Sequence, residues 1–324
     1  MNLKEISLPV QKELEKFDDV FREAMRSKIF LVDTITRYLV KQKGKKMRPL
    51  LVMLCSKMCG GVDERTYRAA ALVEILHTAT LIHDDVIDEA NTRRGLPSIN
   101  AVWKNKAAVL MGDFLLAKGL LLSLDNDDFV FLKIMSDSVR RMSEGEILEI
   151  EKSRKLSVDE KTYYKIISDK TASLISSCCE IGAAAGSING EHRNVMREFG
   201  EQLGLAFQIR DDLLDYIGKK SITGKPTGGS DISDKKITLP LIFALEKAAR
   251  TESNAILKMI KNGVDKKQRQ EITDFVISQG GIEYATQKSN EHATLAKNML
   301  KIFPSSPSKQ ALLSFVNFVV ARMN

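Results

Sequence analysis

Apolar positions along the 324-residue chain recur at helical spacing almost from end to end, and no strand-like alternation of useful length interrupts them. From about residue 5 to 40 the pattern predicts amphipathic helix with a break near residues 26–28. Pro49 fits the first turn of the next predicted helix, which carries LLVMLCSKM. After the polar link CGGVDERTYR, the stretch AAALVEILHTATLIHDDVIDEA predicts a long apolar helix ending near NTRRGLP, where Asn91, Gly95 and Pro97 mark a loop. Further helices are predicted over residues 103–124, 129–154, from near 159 to 186, 191–217, 239–260, 266–278 and about 287–300. A last helix carries ALLSFVNFVVARM after a short link at 304–308. Residues 218–236 form the one polar, glycine-rich loop of any length.

Composition supports this reading. None of the 7 prolines lies between Pro97 and Pro226, and aromatic residues make up only 6%. The expected fold class is all-α, a helical bundle, and no composition shift marks a linker. One domain over residues 1–324 is therefore favoured over two. No apolar run of eighteen residues is read, so no membrane span is expected, and the charged start MNLKEISLPVQKELEKF lacks a signal-peptide core. Cys55, Cys59, Cys178 and Cys179 show no metal-site spacing, and a reducing, cytoplasmic setting is the simpler inference. The net charge of +7 permits anionic partners, but neither a zinc-finger spacing nor a basic arm points to nucleic acid.

Chemistry enters with the aspartates. Of four Asp–Asp pairs, only two continue to a third aspartate three positions on: DDVID (Asp84, Asp85, Asp88) and DDLLD (Asp211, Asp212, Asp215). Each sits in the C-terminal part of an otherwise apolar helix. There Asp84 stacks with Asp88 and Asp211 with Asp215, and the helix dipole disfavours anions. Such carboxylates need a cation, and magnesium suits hard oxygen ligands while keeping sites for water and phosphate. Phosphate-ready groups flank both clusters: Lys45, Arg48, His77, Arg93 and Arg94 near the first, Gln208, Lys225 and Lys236 near the second, with the polar pair Lys170–Thr171 between. Two acidic clusters with two sets of cations read as two polyanions held together, one through metal.

These residues lie in ordered motifs. GKKMRP, HDDVIDEA followed by RRG, VLMGDFLLA, MSEGEILE, KTASL, FQIRDDLLD and GKPTG together resemble the trans-isoprenyl diphosphate synthases, specifically the longer-chain (heptaprenyl- or octaprenyl-like) polyprenyl diphosphate synthases. The resemblance runs from about residue 20 to 322. It implies an all-helical bundle around a deep central cavity, a homodimer, and magnesium-dependent condensation of isopentenyl diphosphate with an allylic prenyl diphosphate such as farnesyl or geranylgeranyl diphosphate. It further implies two or three magnesium ions bridged by substrate diphosphate and held by Asp84, Asp88 and Asp211, with Asp85, Asp212 and Asp215 close by. By the same resemblance Lys45, Arg48, His77 and Arg94 hold isopentenyl diphosphate. Arg93, Lys170, Thr171, Gln208, Lys225 and Lys236 meet the allylic diphosphate, and Gln208 stabilises charge near the reacting carbons.

Product length then depends on cavity depth. Ala79 and Thr80 stand five and four positions before Asp84, and both are small, which by resemblance argues for a chain of about seven or eight isoprene units, roughly C35–C40, serving a quinone side chain. Phe131, Met135 and Met142 are candidates for the cavity floor. Release of so apolar a product implies passing contact with a membrane surface. Two alternatives stand beside this reading: a terpene cyclase of the same helical class, and a non-catalytic partner subunit. The second DDxxD and the Lys45, Arg48 and His77 set weigh against the cyclase.

Overall fold

The computed structural model describes residues 2–41, 44–187, 192–217 and 230–321. Helices form where the apolar spacing predicts them, and side-chain caps set several of their ends. The chain opens with α1 (Leu3–Ser7), capped by Asn2, then a 3-10 turn and α2 (Gln11–Ala24). α3 (Phe30–Lys41) follows the predicted break, α4 (Met47–Cys59) carries Pro49, and α5 (Glu64–Ile87) carries the first aspartate cluster. α5 begins inside the stretch read as a link. Asp63 caps it, its side chain accepting from the Thr66 amide at 3.1 Å while the Thr66 hydroxyl accepts from the Asp63 amide at 3.3 Å.

The loop after α5 is a hairpin of two short strands, β1 (Thr92–Arg93) and β2 (Leu96–Pro97), with Arg93 opposite Leu96. Its two connecting residues, Arg94 and Gly95, both have positive φ (52° and 78°), as a type I′ turn demands. Then come α6 (Ile99–Leu124), α7 (Phe129–Lys155), α8 (Glu160–Ile167), a π-helical turn (Ser168–Ala172), α9 (Ser173–Gly186) and α10 (Arg193–Ile217). The remainder is α11 (Ser230–Ser233), α12 (Leu239–Lys247), α13 (Arg250–Asn262), α14 (Lys266–Ser278), α15 (Gly281–Met299) and α16 (Pro307–Ala321).

Several predicted boundaries need correcting. The helix expected over 239–260 is broken at Ala248–Ala249, which carry extended backbone (ψ 162° and 141°). No glycine or proline announces that corner; the Ser253 hydroxyl, donating to the Leu245 carbonyl at 2.8 Å, closes it. α15 starts at Gly281, earlier than about 287, behind Gly280 in the left-handed region, and α16 takes in Pro307. α6 starts at Ile99 behind the Ser98 cap but is kinked at Lys104 (φ 72°), beside the Trp103 ring that packs edge-on against Tyr38.

α6 is long and apolar enough to cross a membrane by length and composition alone, although Lys104, Lys106, Asp113 and Lys118 interrupt it, and a core helix of a soluble protein has the same character.

The chain divides into two compact units. One comprises Met1–Val139, Ser177–Arg197 and Ile302–Ser314; the other comprises Arg140–Ser176, Glu198–Lys301 and Phe315–Asn324. In the first, α5 lies along α6, with Ile75, Ala79 and Ile82 meeting Ala108, Met111 and Leu115 in a cluster that also takes in Met25 and Ile35. α4 and the end of α9 approach so closely that a Cβ on Gly182 would stand 2.6 Å from the Val52 carbonyl oxygen, and one on Gly186 2.3 Å from that of Ser56. In the second, α12 packs on α8, α14 and α15 around Ile209, Leu213, Leu239, Leu241 and Ile272.

Candidate active site

In the first unit, α5 ends where its aspartates begin to crowd. The Asp88 amide donates to the Asp84 carbonyl at 2.8 Å, and Glu89, at φ 51°, stops the helix. Asp84 is half-buried, Asp88 exposed and Asp85 buried. Asp85 accepts from Arg93 Nε at 2.6 Å, so the hairpin folds back onto its own helix. Asn100 braces the same turn, its amide donating to the carbonyls of Asp85 (3.2 Å) and Ala90 (3.0 Å).

Arg48, His77 and Arg94 come within electrostatic reach of one another, together with Glu74, which the sequence had not singled out. Burial, then Arg48, Arg94 and Arg93, hold the His77 imidazole well below its usual pKa, so it is neutral near pH 7. Burial pushes the Glu74 carboxyl up, opposed by Arg48 and Arg94. Arg48 Nε, Glu74 Oε2 and His77 Nδ1 are buried without a hydrogen-bond partner. An unpartnered N–H such as that at Arg48 Nε costs about 1–3 kcal/mol, which an anionic ligand accepting from it can offset, whereas the Glu74 oxygen needs a donor. Gly44 lies against the Arg94 guanidinium, where a Cβ would stand 2.5 Å from Nη1. Lys45 is exposed; its neighbour Lys46 is half-buried and paired with Asp18. A cavity of about 180 Å³ opens beside Lys46, Glu74, Asp85, Arg93 and Arg94, with Phe21, Met25 and Leu81 on its apolar side.

Ala79 and Thr80 diverge. Neighbours on a helix point about 100° apart, and Ala79 is fully buried in the α5–α6 cluster while Thr80 is half-buried, its hydroxyl donating to the His77 carbonyl at 2.9 Å. Phe131 and Met135 are buried in this unit, and Met142 is half-buried in the other.

The second unit gathers Lys170, Thr171, Gln208, Asp212 and Lys236 around one cavity of about 130 Å³, along with Glu149, Tyr163 and Asp231. Thr171 donates to Gln208 Oε1 (2.8 Å), Gln208 Nε2 donates to Asp212 Oδ1 (2.7 Å), and the Tyr163 hydroxyl donates to Asp212 Oδ2 (2.7 Å). Both ends of the Gln208 amide are thereby fixed. Burial pushes the Asp212 carboxyl up to about 8 despite the donors from Tyr163 and Gln208. Asp231, whose amide donates to Asp215 Oδ2 at 2.9 Å, is pushed up to about 6 by burial and by Asp215. Asp211, Asp212, Asp215 and Asp231 line one opening with Gln208. Lys170 Nζ sits 2.7 Å from Glu146 and 2.5 Å from Glu149; burial works against its charge, but the two carboxylates outweigh it and raise its pKa. Lys225 falls outside the described residues.

Asp231, Glu146 and Tyr163 escaped the sequence reading. Only the i, i+3 spacing of Glu146 and Glu149 carried any local signal.

A model of the polyprenyl synthetase family matches residues 30–276. The chain belongs to the polyprenyl synthetase family. It is 35% identical over 321 residues to an all-trans-nonaprenyl-diphosphate synthase (geranyl-diphosphate specific) of Rhodobacter capsulatus, covering 99% of this chain and 98% of the relative. It is 30% identical over 322 residues to the octaprenyl diphosphate synthase of Escherichia coli (strain K12), covering 99% of each. A short chain isoprenyl diphosphate synthase of Methanothermobacter thermautotrophicus is 32% identical over 324 residues, covering 97% of this chain and 99% of the relative. Among solved structures, a decaprenyl diphosphate synthase from Rhodobacter capsulatus superposes with a TM-score of 0.93 at 31% identity, over 100% of both chains. A Caulobacter crescentus polyprenyl synthase complexed with calcium and isoprenyl diphosphate gives 0.89 at 28%, over 100% of this chain and 98% of that one. The expected all-helical fold is thus the fold of polyprenyl synthetases, and this polyprenyl synthetase is a prenyltransferase that makes polyprenyl diphosphates.

Proposed function

We propose that the protein condenses isopentenyl diphosphate with an allylic diphosphate, farnesyl or geranylgeranyl, into an all-trans chain of about seven or eight isoprene units, destined for a quinone side chain, within a single polyprenyl-synthase domain. The observation that carries the reading is the pairing of two carboxylate clusters with two separate sets of cationic and polar donors. One set is Arg48, His77 and Arg94; the other is Lys170, Thr171, Gln208 and Lys236.

Magnesium fits the donors present. Four carboxyl groups share one opening, and the pKa of Asp231 rises to about 6 because burial and Asp215 disfavour its charge there. Among the described residues no group of three or more His, Cys, Asp or Glu side chains is gathered closely enough to hold a metal ion by itself, so the ion would have to take further oxygens from water and substrate diphosphate. Asp84 and Asp88 would hold it at the first cluster, Asp211 at the second, with Asp85, Asp212 and Asp215 adjacent. When bound, it supplies the positive charge that offsets the departing diphosphate.

The chain's own residues do the rest. Arg93, Lys170, Lys225 and Lys236 hold the allylic diphosphate, and Lys45, Arg48, His77 and Arg94 hold that of isopentenyl diphosphate. As the allylic carbon–oxygen bond breaks, charge grows on the diphosphate and is met by these cations. The double bond of isopentenyl diphosphate attacks the allylic cation, and a proton passes to the released diphosphate. Gln208, held by Thr171 and Asp212, would stabilise the charge that develops near the reacting carbons. Water must stay out, or the cation would be quenched to an alcohol.

Exposed apolar side chains on α6 and α7, among them Val109, Leu110, Leu121, Phe129 and Val130, support a homodimer. Free thiols at all four cysteines suit a cytoplasmic setting, with membrane contact only as product leaves.

Incubation of the purified protein with magnesium, farnesyl diphosphate and labelled isopentenyl diphosphate tests the reading. Elongated diphosphates are the expected product. Cyclic hydrocarbons would point to a cyclase, and no turnover to a non-catalytic partner subunit.

A further inference from the structure

The turn that carries Lys170 and Thr171 is not ordinary helix. Ser168–Ala172 form a π-helical turn between α8 and α9, a widened geometry that is rare, poorly packed by itself and common at functional sites. Something must hold it open, and the structure shows two helices doing so.

The first is α7, which meets the turn with one stripe. Arg141, Gly145 and Glu149 are spaced i, i+4, i+8 and so lie on one face. Arg141 Nε donates to Asp169 Oδ1 at 2.9 Å, and Nη2 donates to the Ser168 hydroxyl at 2.9 Å and carbonyl at 3.3 Å. Gly145 lets the helix touch the turn's backbone, for a Cβ there would stand 2.8 Å from the Lys170 amide nitrogen and 3.0 Å from Asp169 Cβ. Glu149 takes the Lys170 ammonium at 2.5 Å.

α10 grips the other side with Glu201, Gly204 and Gln208. Glu201 accepts from Arg141 Nη2 at 3.0 Å, and from the Ser168 hydroxyl at 2.5 Å. A Cβ on Gly204 would stand 2.5 Å from Ala172 Cα, and Gln208 accepts from Thr171.

Arg141 joins both stripes to the turn, bonding Ser168 and Asp169 in the turn and Glu201 on α10. Its guanidinium is half-buried between two carboxylates. Burial works against its charge, but Glu201 and Asp169 outweigh that and raise its pKa. Asp169 is itself buried, and its other oxygen is held by Lys165 at 2.6 Å. A planar guanidinium spreads five donors over three separate nitrogens and so reaches Asp169 through Nε while Nη2 serves Ser168 and Glu201, whereas the three donors of an ammonium all radiate from one nitrogen.

We infer that Arg141 is a positioning residue: by clamping Ser168 and Asp169 to Glu201 it maintains the π-turn, and with it the placement of Lys170 and Thr171. This rests on the proposed assignment of those two residues to the allylic diphosphate. Arg141 is not among the side chains lining the cavity of Lys170 and Thr171, so its loss should act through those two residues on one substrate and spare the other.

The test uses the full chain with Arg141→Met and Arg141→Lys, the latter keeping the charge should the former fail to fold. Amide hydrogen exchange reads the clamp whatever the substrate. Exchange at residues 168–172 is expected to rise about tenfold or more in a folded variant while the core of α5 and α6 stays protected. Kinetics read the consequence: kcat is expected to fall about tenfold, KM for the allylic diphosphate to rise several-fold, and KM for isopentenyl diphosphate to stay within about twofold. Arg141→Lys should recover little, because a single nitrogen cannot take the places of both Nε at Asp169 and Nη2 at Ser168 and Glu201. Unchanged exchange at 168–172 would overturn the clamp. Raised exchange with unchanged kinetics, or equal rises in both KM values, would overturn the positioning role. A wild-type chain that elongates nothing would instead sink the proposed function, leaving the exchange result to decide the clamp.

Discussion

Asp85 and Arg93, eight residues apart, are joined by a 2.6 Å hydrogen bond in which a carboxylate 3% exposed meets a guanidinium 30% exposed. The middle aspartate of the first cluster is therefore engaged by the hairpin, while Asp84 on one side of it is half-buried and Asp88 on the other is exposed. This separates two kinds of aspartate in one five-residue motif. Asp85→Asn takes the counter-charge from Arg93, which is partly exposed and keeps access to water, and should cost about 1–3 kcal/mol of stability. Asp84→Ala should cost little stability but lower turnover about a hundredfold or more if Asp84 holds magnesium. Urea denaturation beside steady-state rates checks both, and a folded Asp84→Ala enzyme at wild-type turnover would remove Asp84 from the metal site.

His77 makes stability depend on pH. Its imidazole is kept neutral by burial first and then by Arg48, Arg94 and Arg93, whereas the unfolded chain takes up a proton near pH 6.5. That contribution is present above about pH 6.5 and is lost as pH falls toward the lower native pKa. Between pH 7.5 and 5.5 the wild type should lose about 1 kcal/mol more than His77→Gln. His292 is also held low by burial and slopes the same way, so it remains as a common background in both proteins. Parallel urea curves at the two pH values provide the measurement; equal losses would mean that His77 is not held neutral.

Gly95 is needed for its backbone, not for space. Nothing lies within 4 Å of where its Cβ would stand, yet its φ is 78°. Gly95→Ala should cost about 1–2 kcal/mol through the left-handed conformation alone. Because Arg93 and Arg94 are set by that turn, KM for both diphosphates should rise with the lost stability. A melting temperature and a KM pair measured on one preparation check this.

Product length offers the sharpest test of the channel assignment. Ala79 is packed against α6 side chains in the cluster with Ile75, Met111 and Leu115, and Thr80 points about 100° away from it. Ala79→Tyr should shorten the product and also strain that packing by about 1–3 kcal/mol. Thr80→Phe should shorten it at smaller cost to stability. Both should keep the first condensation. Chromatographic sizing that returns wild-type products from both variants would move the channel wall elsewhere.

Much of this molecule was legible in one dimension. The helices, their order and both aspartate clusters follow from apolar spacing and residue type, because helical hydrogen bonds are local and side chains four apart must share a face. The phosphate-ready cations were visible for the same reason, as charged residues standing beside those clusters. Where helices stop without a local signal, the pattern failed. Ala248–Ala249 break a run of good helix formers, and the Ser253 hydroxyl that closes the corner comes from the following helix.

Pairing between distant segments was out of reach of spacing. Nothing in the sequence says that Asp212 lies under Tyr163, that Asp231 crowds Asp215, or that Glu146 and Glu149 hold Lys170. The local pattern carries the chemistry of each side chain, while burial and the neighbour across the fold set its charge and its aim. Asp211 and Asp212 are adjacent and chemically identical. Only packing buries Asp212 against Tyr163 and Gln208 and pushes its pKa up to about 8, because desolvation depends on what lies opposite, which no one-dimensional spacing encodes.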